Sequence, residues 1–108
     1  AHIWLDPVNA KAMVSEIAHE LSEVDPSNKS NYEKNAEKMI SSLDDLIERV
    51  STTIPKNSNF IVFHDAYQYF ENRFNIKAAG ALTLNPEVLP GAKQIAEIQE
   101  IIEQIALS

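Results

Sequence analysis

Phe60-Ile61-Val62-Phe63-His64-Asp65-Ala66-Tyr67-Gln68-Tyr69-Phe70 decides how the rest of the chain is read. Phe60–Phe63 is an uninterrupted apolar run, the pattern of a strand in a parallel sheet covered on both faces. The run stops on His64 and passes at once into a short aromatic segment that reads as a helix. A side chain at the carboxyl end of such a strand projects into the crevice where open α/β sheets bind their ligands. Asp65 follows directly. Its carboxylate can cap a helix beginning near Ala66 or orient the imidazole, and the cap is the preferred reading. These residues alone leave His64 open between two roles, a ligand-binding imidazole and a strand-end histidine hydrogen-bonded to backbone.

Working back from this strand, Pro55–Asn59 is a polar turn that ends a long helical pattern. Tyr32, Ala36, Met39, Leu43, Leu46, Val50 and Ile54 recur there at helical spacing, with Ile40 and Ile47 widening the stripe. A helix over residues 28–53 is roughly 40 Å long at 1.5 Å per residue. Such a helix either pairs with its predecessor as a hairpin or spans two lobes as a strut. The predecessor starts at Asp6-Pro7, with aspartate at the N-cap and proline at the first helical position. Ala10, Val14, Ile17, Leu21 and Val24 form its apolar stripe, with Met13 and Ala18 beside them. Asp25-Pro26 repeats the start signal and separates the two helices. His19 falls on the polar face between Glu16 and Glu23, where a solvated histidine is expected and not a metal ligand. Residues 1–5 are apolar apart from His2, with Trp4 as a large anchor.

Working forward, Tyr67, Tyr69, Phe70 and Phe74 form a packing cluster around the short helix, and Asn75 turns the chain. A second strand lies within Ile76–Leu84, interrupted by Gly80, where a side chain would obstruct a close neighbour. Asn85-Pro86-Glu87-Val88-Leu89-Pro90-Gly91 is a loop expected at the same end of the sheet as His64. Ile95, Ile98, Ile102 and Ile105 then make the last helix amphipathic. The fold class is helix-rich α/β.

With 108 residues the chain can build a small domain with a modest core. A net charge of −7 argues against nucleic acid or an anionic membrane as partner. The absence of cysteine excludes disulfides and thiolate metal sites within these residues. No apolar run approaches the roughly 20 residues needed to cross a bilayer. The chain opens on Ala1-His2-Ile3-Trp4 and closes just after a helix that, in an α/β alternation, leads to another strand. It is therefore expected to be an internal segment of a longer protein.

His2 and His64 both stand at element edges, each with an aspartate after it, Asp6 and Asp65 respectively. Neutral imidazole is the commonest protein ligand for zinc, and its second nitrogen often donates to a carboxylate or carbonyl. Spacing does not establish that the two meet.

Three motifs carry a resemblance over essentially the whole chain: His2-Ile3-Trp4-Leu5-Asp6-Pro7, Phe63-His64-Asp65-Ala66-Tyr67-Gln68-Tyr69-Phe70, and Leu84-Asn85-Pro86-Glu87-Val88-Leu89-Pro90-Gly91-Ala92. In this order they resemble the middle of the high-affinity zinc uptake substrate-binding proteins, extracytoplasmic metal receptors of bacterial ABC transporters. The resemblance implies two α/β lobes joined by one long helix, with the metal in the cleft between them. It implies residues 1–27 as the end of the first lobe, 28–55 as the linking helix, and 56–108 as the βαβα start of the second. It places metal-binding histidines at His2 and His64, with Trp4 and Tyr67 walling the cleft and Asp65 beside it.

Manganese-type relatives carry a carboxylate where His64 stands, and nitrogen ligands suit zinc better than manganese. The remaining ligands are expected outside this segment, so the isolated chain should bind zinc more weakly than the intact receptor. The implied cargo is Zn²⁺ and the implied partner an ABC permease, with Glu87 on the surface that the permease sees. The implied location is the periplasm, or an anchored extracytoplasmic position in a single-membrane bacterium. Helix stripes without their cover are expected to drive self-association of the isolated chain. Alternatives are a manganese receptor or adhesin of the same superfamily, and a zinc hydrolase with Asp65 or Glu87 as general base. Against the hydrolase, the chain has no His-Glu-x-x-His helix.

Overall fold

Asp6 sets the first helix. In the computed structural model, which describes residues 2–83 and 85–107, its carboxylate accepts a hydrogen bond from the Val8 amide at 2.9 Å. Pro7 occupies the first helical turn, where a missing N–H costs nothing. Helix α1 then runs Pro7–Val24, preceded by a 3₁₀ turn over Ile3–Leu5.

The second Asp-Pro pair behaves differently from the first. Asp25 does not cap a backbone amide of an α-helix; Pro26–Asn28 is a 3₁₀ turn, and α2 follows as Lys29–Thr53. Ser27, Asn28 and Tyr32 all donate to the Asp25 carboxylate from their side chains, at 2.8, 2.7 and 2.8 Å. Local donors outcompete the amide, and the pair becomes a hinge pin between two helices.

Of the two roles open to the long helix, pairing with α1 is realised. Lys11, near the start of α1, reaches Asp44 on the later half of α2 at 2.6 Å. Leu21 and Tyr32, at the turn, line one groove, so the helices run antiparallel. The α1 seam is rotated from the expected stripe. After the buried Pro7, its less exposed line runs through Ala10, Val14, Ala18 and Ser22, while Ile17 and Leu21, along the groove beside it, remain exposed. Small residues let the two backbones approach, and Ser22 is tolerated there because its hydroxyl donates to the Ala18 carbonyl at 2.6 Å. On α2, Ile40 and Ile47 lie in the less exposed line, with Met39 and Leu46 on its flank.

These helices belong to one compact unit, Ala1–Ile54; Pro55–Ser108 forms a second. Strand β1, Ile61–His64, starts and ends one residue later than the apolar run suggests, so His64 is its last residue. Helix α3 spans Gln68–Phe74, β2 Gly80–Thr83 and α4 Ala92–Leu107. The strands are parallel, with Ile61, Val62 and His64 opposite Gly80, Ala81 and Thr83. A parallel pair needs a crossover, which residues 65–79 and their helix supply.

Asn75 ends α3 in the left-handed region, φ 52°, a conformation that asparagine tolerates. Gly80 begins the second strand and does not interrupt it, and residues 76–79 lie outside any strand. The expected close neighbour is present: a Cβ on Gly80 would sit 2.9 Å from the Ile98 Cδ1 and 3.0 Å from that of Ile101. Leu84, on which that strand was expected to end, lies outside the described residues.

The parallel character of the strand is as its apolar run implies, but coverage of both faces is not. Phe63 is 52% exposed, because the described residues form a two-stranded sheet and α4 packs against β2. Ala66 and Ile98 are the buried apolar side chains among the described residues of this second unit.

Candidate metal site

His64 is presented by a ladder end. It closes β1 opposite Thr83, and the next amide, Asp65 N–H, donates to the Thr83 carbonyl at 3.1 Å. The backbone on both sides of the imidazole is thereby fixed by main-chain bonds. Its side chain shares a sheet face with that of Val62, since successive strand residues alternate. Nδ1 is buried, and the residue as a whole is half-buried.

Asp65 does not cap the helix that follows. Helix α3 starts at Gln68, its N-cap residue is Tyr67, and no side chain caps it. Residues 65–67 instead make an irregular turn in which Ala66 is buried and Asp65 and Tyr67 are exposed. Burying the small Ala66 side chain takes up the turn that a capped helix start would have occupied. Asp65 lines a polar cleft of about 550 Å³ with Gln68, Glu71, Asn72 and Lys77. Glu71 is drawn to the other end of the segment, where it accepts the Ala78 amide at 3.2 Å.

His2 is presented in another way. It precedes the 3₁₀ turn with φ 60° and ψ 23°, in the left-handed region where histidine is several-fold enriched among non-glycine residues. Its carbonyl accepts the Leu5 amide at 3.1 Å, and Asp6 N–H donates to the Ile3 carbonyl at 3.2 Å. The Asn9 side chain also donates to the Ile3 carbonyl, at 3.0 Å, and ties the turn to α1. The His2 and Trp4 rings meet edge to face, with centroids 5.3 Å apart at 64°. Trp4 is 53% exposed, so it supports the imidazole and does not anchor a core.

His2 thus lies in the first unit and His64 in the second. Among the described residues no three His, Asp or Glu side chains converge as a metal-holding group, and His19 is exposed on α1. Glu87 is exposed, its amide donating to the Asn85 side chain at 3.0 Å. The loop that carries it leaves β2 at the His64 end of the sheet, as expected for a parallel pair. Sequence reading passed over Thr83, the partner of His64 in the ladder. A Thr-x-Asn step leaving a strand, which favours a side-chain-to-backbone turn, was the available signal.

A family model described as zinc-uptake complex component A, periplasmic, matches residues 1–107. The high-affinity zinc uptake system protein ZnuA of Brucella abortus is 48% identical over 106 residues, 96% of this chain and 32% of the relative. The chain therefore spans about a third of the length of that curated relative. A crystal structure of ZnuA superposes with a TM-score of 0.80 at 28% identity, covering 95% of this chain and 40% of the other. A Zn(II)-bound AdcAII variant of Streptococcus pneumoniae gives 0.75 at 33% identity, covering 94% and 38%.

Proposed function

Because the chain belongs to the family of periplasmic zinc-uptake component A, we propose that it is the central part of an extracytoplasmic receptor that captures Zn²⁺ for an ABC permease. The observation that carries this reading is the family match over residues 1–107, which spans all three motifs. Similarity to a Zn(II)-bound structure supports zinc as the cargo. His2 and His64 are the proposed protein ligands from this segment, and further ligands come from outside it. Residues 1–27, 28–55 and 56–108 then serve as the end of one lobe, the connecting helix and the start of the other.

Such a receptor performs no chemistry on its cargo. Neutral imidazoles supply two nitrogen donors, which favour zinc over the harder manganese ion. Enclosure by protein ligands leaves no open coordination position to activate water, the feature a zinc hydrolase needs. The proposed location is the periplasm. No helix among the described residues is long and apolar enough to cross a membrane.

Competition titration of the full-length protein tests the reading. Zinc is expected to displace manganese, and the isolated 108-residue chain to bind zinc more weakly than the full-length protein. Preference for manganese would reassign the cargo, and equal affinity of the isolated chain would remove the need for outside ligands.

A further inference from the structure

We infer that Thr83 is a positioning residue for His64, acting through the main chain; the inference rests on His64 being a zinc ligand. His64 and Thr83 form the last rung of the parallel ladder, and beyond it the Asp65 amide still donates to the Thr83 carbonyl at 3.1 Å. Ladder ends open first unless something holds them.

The Thr83 hydroxyl supplies that hold. It donates to the Asn85 carbonyl at 2.7 Å and accepts the Asn85 amide at 3.0 Å. Asn85 is itself fixed: its side chain accepts the Glu87 amide at 3.0 Å, and its carbonyl accepts the Val88 amide at 3.1 Å. One hydroxyl therefore couples the end of β2 to a folded loop. This keeps the Thr83 carbonyl aimed at Asp65, and so keeps the backbone of His64 in place. Without the hydroxyl, the segment after β2 is free to swing, and the imidazole loses a defined starting point for coordination.

Thr83→Val is the probing substitution, because valine keeps the branched shape and strand preference while deleting both side-chain hydrogen bonds. Zinc affinity of the full-length protein would be measured by chelator competition, alongside thermal melting of the metal-free form. Thr83→Val is expected to bind zinc about tenfold more weakly, the low end of what losing a supporting partner costs a metal site. Its metal-free melting midpoint should stay near wild type, and Thr83→Ser, which restores the hydroxyl, should recover affinity. In a His64→Ala background, Thr83→Val should change nothing further.

Three results would overturn the inference while leaving the metal assignment intact. They are wild-type affinity in Thr83→Val when His64→Ala has lost zinc, no recovery in Thr83→Ser, or an equal loss in the His64→Ala background. Wild-type affinity in His64→Ala would overturn it by removing the reading beneath it.

Discussion

The two units hold a histidine by opposite means. In Ala1–Ile54, His2 sits on a left-handed residue ahead of a 3₁₀ turn, and a side chain, the Asp6 carboxylate, fixes the helix that follows. In Pro55–Ser108, His64 ends a strand whose neighbours are main-chain groups on β2. Helical periodicity builds the first unit, and pairing between segments separated by a crossover builds the second. A helix start that depends on one carboxylate can be broken by one mutation. One that depends on a ladder is broken by forcing the strands off their neighbours.

The largest expected effect separates the two histidines from everything else. His64→Ala and His2→Ala in the full-length protein should each weaken zinc binding by at least about 100-fold, since even supporting partners cost 10- to 100-fold. Helix content by circular dichroism should not change. Wild-type affinity in either variant would remove that histidine from the site and make the contrast purely structural.

Gly80→Val tests the second unit alone. A branched side chain would meet the Cδ1 atoms of Ile98 and Ile101, where even a Cβ lies 2.9 and 3.0 Å away. Overpacking of this kind typically costs about 1–3 kcal/mol. Denaturant unfolding should show that loss, and an unchanged midpoint would mean α4 shifts freely over β2.

Asp6→Ala tests the first unit alone. Loss of the cap to Val8 should cost about 1 kcal/mol, with Asp6→Asn recovering most of it. If the cap holds His2 in place, Asp6→Ala should also weaken zinc binding, whereas a loss of stability alone would uncouple the two.

The smallest effect is a pH dependence at the turn between α1 and α2. Hydrogen bonds from Asn28, Ser27 and Tyr32 hold the Asp25 carboxyl below its ordinary 3.8. A carboxyl depressed in the folded state adds stability above its unfolded value, and that stability is lost as pH falls through the folded one. The stability gap between wild type and Asp25→Ala should therefore be constant at neutral pH and close below about pH 3.8. The same contact pushes the Tyr32 phenol above its ordinary 10.0, so that contribution is present below pH 10 and fades above it. A gap that persists in strong acid would show that packing, not the carboxylate, holds the turn.

Much of this is legible in the sequence. Asp6-Pro7 announced α1, Asn75 announced a turn, and Gly80 announced a close neighbour, because each signal acts within a few residues of itself. The same holds for His64 at a strand end, where an apolar run meets a polar residue. Asp65 misled because an aspartate before an aromatic segment satisfies the local rule for a cap. The helix instead starts at Gln68, and the turn before it buries Ala66.

The sequence by itself determined which segments are helix or strand, that the sheet is parallel, and which imidazoles stand at element edges, since backbone preference and periodicity are local properties. Tertiary structure alone decided which side of α1 faces α2. Ile17 and Leu21 are the more apolar choice, yet they stay exposed along the groove while Ala10, Val14, Ala18 and Ser22 form the less exposed line. Close approach of two helices rewards small side chains that fit between backbones, and that preference appears only once the second helix is in place.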